Sequence, residues 1–239
     1  MSPRPAPTRG AATESAWERR ALDQVLRSTQ HRFLSRSRQF VAAARGLVAE
    51  KGIDGLTLRV LLERTGLSRR AFYERFETKD DLLLAVFEET IRSASARYRE
   101  GADAFEDPLD RLRFIVQGMI EGAWSRPTIP HSIAMSREHL RLAGSRPGDL
   151  RCALQPLTEL IAGALALGIA SGRFRQADPH ETAVLIHNLV SSTLHAALLA
   201  APGEEGRAHE KRVKNMANAV WEFCRRAVVA PDPGNQRNP

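Results

Sequence analysis

The chain has 239 residues, 43% of them hydrophobic and 26% charged, the make-up of a soluble globular protein long enough to bury one or two cores. Its net charge of +7 and pI of about 10.2 favour an acidic partner, without separating nucleic acid from a membrane surface. Cys152 and Cys224 stand far apart with no CxxC, which excludes a disulfide framework and a thiol-ligated metal site and points to a reducing cytosol, hence a cytoplasmic protein.

Residues 1–34 are expected to be a basic, partly disordered extension. The opening MSPRPAPTRGAA is rich in Pro and Arg, holds no apolar targeting segment and should not order. A short helix is predicted from Thr13, as cap, to about Arg27, with Trp17, Ala21 and Leu22 on one face. Residues 1–38 hold eight Arg against three acids; a phosphate-contacting arm and a solvated tail both fit, the tail being the plainer reading. The next helix should run from Ser35 to Glu50, with Phe40, Ala43, Ala44, Leu47 and Val48 as its apolar stripe and Gly52 as its stop.

Two short helices joined by a tight turn follow, the layout of a DNA-reading helix-turn-helix. Thr57 can cap the first, in which Leu58, Leu61 and Leu62 share a face, and Gly66 ends it where a left-handed backbone costs nothing. Ser68 can cap the second, predicted over Arg69 to Phe76. Phe72 and Phe76 lie at i, i+4 and face inward, leaving Arg69, Arg70, Tyr73 and Glu74 pointing away from the core. Such a helix suits a major groove, where Arg pairs with guanine and Tyr holds a phosphate. A solvated face on an ordinary hairpin satisfies the same periodicity.

The order of residues adds to that periodicity. Thr57, Gly66, Ser68, Phe72, Tyr73, Phe76, Lys79 and Leu82 match the pattern of the DNA-binding segment of the tetracycline-repressor (TetR) family, which this stretch resembles. The resemblance implies an all-α fold: a helix-turn-helix domain, here 35–82, joined by a long helix to a larger ligand-binding and dimerisation domain, here 83–230. It implies a homodimeric, ligand-responsive transcription factor, mostly a repressor. Carried over by position, Arg59, Arg69, Arg70 and Ala71 fall where bases are read, and Thr57, Ser68, Tyr73, Arg75 and Lys79 at or beside phosphate-holding positions. Val60, Leu62 and Thr65 depart from the family's acidic or small residue, alanine and alanine, which should alter how this helix packs.

Beyond the helix-turn-helix, Thr78 should cap a helix running to about Arg99, with Asp80 and Asp81 in its electropositive first turn and Leu82, Leu83, Val86, Phe87 and Ile91 inward. Gly101 should break it. Asp107-Pro108 opens the next helix, which Trp124 closes before the break Arg126–Pro130. Helices are then predicted over His131–Leu142, over Asp149–Ser171 with a late start or kink at Pro156, over Asp178–Leu199 and over Ala208–Val229. Pro202–Gly206 should be a loop, and 231–239 a disordered tail. Ala153–Ala170 is the most membrane-like stretch, but Gln155, Pro156 and Glu159 favour a buried helix over a span. No strand-like alternation and no repeat is present.

The last two helices are apolar beyond a narrow stripe, which predicts a four-helix core across a two-fold axis, with Val213, Val220 and Trp221 at the seam. Phe87, Phe114, Met119, Trp124 and Met135 are the expected lining of a chamber for a small, largely apolar effector, with His131 and His139 as polar handles. His187, Ser191 and His195 form one helical row, a polar strip at the dimer seam or pocket; with no His-x₃-His, no metal site is expected. No GxSxG, HExxH, GK[ST] or helix-opening GxGxxG occurs, so neither enzyme activity nor a cofactor is expected. The leading reading is a repressor that leaves a pseudo-palindromic double-stranded operator when its effector binds. The alternatives are an all-α ligand carrier or enzyme with an incidental basic helix, and a same-fold activator or ligand-independent regulator.

Overall fold

A computed structural model of the chain describes residues 15–124, 128–200 and 207–230. The expected cap Thr13, the loop Pro202–Gly206 and the tail 231–239 lie outside them. The described residues form helices α1 (Ala16–Lys51), α2 (Leu58–Thr65), α3 (Arg69–Tyr73), α4 (Lys79–Ala102), α5 (Pro108–Ala123), α6 (Ile129–Ser145), α7 (Pro147–Ala170), α8 (Pro179–Ala200) and α9 (Arg207–Val228). Their one extended contact is an isolated bridge between Phe174 and Val229.

The helix ends follow the capping chemistry. Thr57, Ser68 and Thr78 accept from the backbone N–H groups of Val60, Ala71 and Asp81, and Asp107 accepts from Leu109 ahead of Pro108. Each such cap contributes about 1 kcal/mol. Gly52 and Gly66 end their helices at φ 68° and 67°, where a side chain would be strained.

Four boundaries differ from expectation. The gap between Arg27 and Ser35 is absent: Ser15 and Glu18 form a reciprocal capping box, and one 36-residue helix, α1, runs to Lys51, with no Gly or Pro between Arg27 and Ser35 to break it. The extension and the first helix of the helix-turn-helix are therefore one rod, about 54 Å long at 1.5 Å per residue. Helix α3 ends at Tyr73, leaving Phe76 on the turn after it. Gly101 lies inside α4; it is small because the Phe114 ring covers it, and an added Cβ would fall 2.3 Å from that ring. Finally, α6 and α7 are longer than expected and separated only by Arg146, and α7 passes through Pro156.

Two cores result. In the body, Leu112, Ile115, Ile120, Ile161, Leu165, Val190, Leu198 and Trp221 are among the buried side chains. The second core holds the Phe40, Phe72 and Phe76 rings, continues along α4 through Leu83 and Phe87, and reaches Met135 and Leu142 of α6 and Leu150 of α7. The helix-turn-helix thus shares its interior with the corner between α6 and α7. At the departures noted above, Val60 and Leu62 pack against this core. The Thr65 hydroxyl donates to the Leu61 carbonyl over 2.9 Å and accepts from the Leu67 N–H at 3.3 Å, so it serves the turn itself.

Candidate nucleic-acid interface and ligand cavity

Helix α3 is held from beneath by three rings. Phe40 meets Phe72 and Phe76 edge-on, with centroids 5.6 and 6.3 Å apart, and Phe72 lies 5.6 Å from Phe76. Each such pair contributes about 0.5–1.5 kcal/mol beyond its burial. Phe40 comes from α1, so the periodicity of α3 alone supplied only two of the three. Polar ties hold the flanks: Arg64 of α2 forms a bidentate pair with Glu50 of α1, both contacts 2.7 Å, and Lys79 donates to the Ile53 carbonyl over 3.2 Å.

The outward face of α3 carries Arg69, Arg70 and Tyr73, all exposed. Arg70 pairs with Glu74 at 3.0 Å, yet its side chain is 89% exposed; Arg59 on α2, 83% exposed, lies 3.8 Å from Glu63. Exposed pairs of this kind contribute little and exchange readily for another anion. The resemblance misplaces two residues. Ala71 is buried, 6% exposed, and faces the core. The Arg75 side chain, 4% exposed, donates to the Ala71 and Phe33 carbonyls and stacks 4.5 Å over the Phe33 ring. It clamps α3 to α1 and offers nothing to a phosphate in this arrangement. Because Phe33 lies in the extension, no motif within the helix-turn-helix could have revealed the clamp.

Behind this head the body holds a half-open cavity of about 180 Å³, lined among others by Phe87, Ile91, Met119, Met135, Leu157, Val190, His131, His139, His187, Ser191 and His195. Of the expected lining, Phe114 and Trp124 are elsewhere: Phe114 packs on Gly101 and Phe105, and Trp124 is buried against His209 with ring centroids 4.8 Å apart. The row His187–Ser191–His195 turns into the cavity and not onto an outer seam, since α8 lays that side against α6, placing His195 and His187 4.6 and 6.2 Å from His139.

The histidines lack counter-charges. His139 is pushed down to about 4 by burial and then by His195 and His187. Burial likewise lowers His131, helped by Arg45, as well as His187 and His195. The tautomer of His131 follows from its partner: the Thr90 hydroxyl donates to the Val86 carbonyl at 2.8 Å, so at 3.1 Å it accepts from His131 Nε2. The buried Nδ1 is then left as an acceptor with no partner among the described residues. Among those residues no group of three His, Cys, Asp or Glu is placed to hold a metal ion, and both cysteines are free.

Head and body are joined by guanidinium groups that sequence reading did not single out. Arg141 of α6 holds the buried Glu138 at 2.7 and 2.9 Å and reaches Asp80 at 3.0 Å. Arg146, between α6 and α7, reaches Asp81 at 2.9 Å. Asp81 also accepts from the N–H of Thr78; its carboxyl is held below the usual range by Thr78 and then by Arg146.

The expected seam residues Val213, Val220 and Trp221 are 6–7% exposed. They face the protomer's own core, where α9 packs on α5, and so are not offered to a second copy. The outward apolar residues are Val184, Leu185 and Leu199 on α8 and Phe223 on α9, 46, 69, 37 and 66% exposed. By length and composition α7 and α8 could each cross a membrane; in α8 only 28% of the apolar window is buried within the protomer, against 44% in α7.

A short cationic helix presented across a capped turn, on an all-α body that holds a cavity, defines a helix-turn-helix protein with a ligand-sized chamber behind it. Residues 40–86 match the model of the bacterial regulatory proteins, tetR family. HTH-type transcriptional regulator BetI from Stenotrophomonas maltophilia (strain R551-3) is 37% identical over 86 residues, 35% of this chain and 43% of that protein, so the chain spans less than half of that relative's length. A TetR-family regulator from Pectobacterium atrosepticum has the same fold, with a TM-score of 0.67 at 22% identity over 84% of this chain and 98% of that one. So does RolR, solved with resorcinol, at 0.62 and 17% over 88% and 98%. The helix-turn-helix segment is thus that of the bacterial tetR-family regulators, and the whole chain shares the fold of the TetR-family structures.

Proposed function

We propose that the protein is a cytoplasmic homodimeric repressor that leaves a pseudo-palindromic operator when a small, largely apolar effector enters the body. The observation that carries this reading is the α3 face: Arg69, Arg70 and Tyr73 stand exposed above a helix fixed by three rings, inside the segment that matches the family. Arg69 and Arg70 read base edges, with Arg59 beside them on α2; Thr57, Ser68, Tyr73 and Lys79 hold the backbone. Two heads set about 34 Å apart by a two-fold axis meet successive turns of one groove, and the unpartnered apolar faces of α8 and α9 supply the contact that pairs them.

Coupling runs through α6. That helix offers His131, Met135 and His139 to the cavity and, through Arg141 and the adjoining Arg146, grips the first turn of α4 directly behind α3. An effector that fits better with α6 displaced pulls Asp80 and Asp81 with it, tilting the head and changing the spacing of the pair. It acts only to the extent that its affinity differs between the two arrangements.

The test is fluorescence anisotropy on the DNA upstream of the protein's own gene, alongside light scattering of the free protein. Saturable binding by a dimer, resistant to unrelated duplex and released by an effector found in a ligand screen, is the expected result. A monomer that binds all duplexes alike overturns the reading. Binding that only a co-ligand restores turns repression-with-release into its opposite.

A further inference from the structure

We propose that the cavity takes a small apolar carboxylic acid, of one or two rings or a short chain, whose carboxylate docks on the His139–His187–His195 cluster with uptake of one proton. This deepens, and rests on, the reading of the cavity as the effector site.

Size sets the first limit. An apolar protein cavity of about 150 Å³ accepts benzene, so about 180 Å³ suits a body of one ring or slightly more. The walls are apolar side chains, Phe87, Met119, Met135 and Val190 among them, which reward burial of such a body at about 25 cal/mol per Å².

Charge sets the second. The lining holds four histidines and Arg97, and no Asp or Glu. Three of the imidazoles crowd together from two different helices, with His195 and His187 of α8 lying 4.6 and 6.2 Å from His139 of α6. Each is held neutral by burial, and for His139 by the other two rings as well. Of the remaining groups facing them only Asn188 acts the other way, on His187, and by less than burial does. On α4 the others are Arg97 and Tyr98, whose hydroxyl donates to the Gly118 carbonyl; Arg45 of α1 acts on His131; the Ser191 hydroxyl lies 3.1 Å from His187 Nε2; and α7 contributes Leu154 and Leu157. The cluster is thus a site prepared for positive charge and kept from it by the lack of an anion.

A carboxylate supplies that anion and reverses the sign of the interaction. It cannot stay buried and unpaired, and Arg97 is exposed, at the rim and not among the rings. The proton balance then follows. One carboxylate leaves water, one proton leaves the buffer, and the complex is neutral whether the proton rests on an imidazole or on the carboxyl oxygen. Neutral ligands of the same shape bind with no such exchange.

The test is calorimetry on the full chain with benzoate and 2-naphthoate, each beside its amide, in phosphate and in Tris at pH 7.5. The acids should bind at least tenfold more tightly than their amides. The heats in the two buffers should differ by nearly one proton per acid bound, and acid affinity should fall by close to tenfold per pH unit above pH 7. In a His139→Phe, His195→Phe double variant with an unchanged melting temperature, proton uptake and the preference for the acid should vanish while amide binding persists. If that variant does not fold, the two-buffer comparison on the unaltered chain decides. Amides that bind as well as acids, or acids bound without proton uptake, overturn the assignment to the cluster and leave the effector cavity standing. Failure of both series up to millimolar concentration overturns the cavity reading as well.

Discussion

The reading head and the body behind it use the same apolar residue types, but they organise them differently. In the head, inward rings and outward charges alternate sharply: Phe72 and Phe76 are 3 and 8% exposed, Tyr73 between them 53%. In the body, α8 and α9 each carry apolar side chains on two sides. Val220 faces in at 7% and Phe223, three residues on, faces out at 66%. The difference teaches where a hydrophobic stripe is informative: it locates the core only when the opposite face is charged. Where both faces carry apolar side chains, one covers the chain's own interior and the other stays exposed, and the order of residues does not tell which.

The comparison breaks first at the ring cluster. Phe72→Ala should destabilise the head by about 3–5 kcal/mol, as for other buried aromatic truncations, and abolish DNA binding. Because the second core reaches α6 and α7, denaturant unfolding followed by circular dichroism should show loss beyond the head. An unfolding curve unchanged from the parent would mean that the head is not held by these rings.

Next in size are the two sides of α9. Val220→Glu places a charge in the protomer core and should unfold the chain or leave it aggregated. Phe223→Glu should leave helicity intact and convert the dimer to monomer by light scattering. The opposite assignment, with Phe223→Glu harmless and Val220→Glu merely monomeric, restores the seam that the sequence suggested.

Within the head, the contrast lies between free and clamped guanidinium groups. Arg69→Ala should cost about 1–3 kcal/mol on the preferred operator and flatten base preference, and Lys79→Ala should weaken all duplexes alike and lower the salt slope by about one. Arg75→Ala should instead lower thermal stability, through loss of its bonds to the Ala71 and Phe33 carbonyls, and leave the salt slope unchanged. A reduced salt slope for Arg75→Ala would return that residue to the backbone.

The smallest effect separates the two regions by pH. His139 is held near 4, below the ordinary 6.5, so its neutral form belongs to the folded state and stability is complete above pH 6.5. Stability should fall as pH drops from 6.5 toward 4, by about 1 kcal/mol once partial exposure is allowed for. The His139→Phe variant should lose part of this slope in urea titrations at pH 7 and pH 5, the remainder belonging to His131, His187 and His195, which burial also lowers. The head, with no such histidine, should retain its local protection in hydrogen exchange over that range.

Most of the chain's helices and their caps were legible because they depend on neighbours a few residues apart. Thr57 and Ser68 reach backbone N–H groups three positions on, Gly52 and Gly66 supply positive φ, and Phe72 and Phe76 sit one helical turn apart. The exceptions have physical reasons. Gly101 looked like a break because its value lies in the distant Phe114 ring. Arg75 looked like a phosphate ligand because the ring that covers it, Phe33, belongs to a stretch set aside as a tail. His187, Ser191 and His195 formed a recognisable row, but whether that row met a second protomer or a cavity depended on where α6 lay.

The sequence by itself determined the helical class, the capped turn and the family of the reading head, since periodicity and capping are local and act within a turn or two of helix. Only the tertiary structure decided which face of α8 and α9 lies inside, that α1 is one continuous rod gripping Arg75, and that histidines from α6 and α8 converge on one cavity. Those outcomes depend on which distant helices come to lie together, and that is settled by the packing of the whole chain.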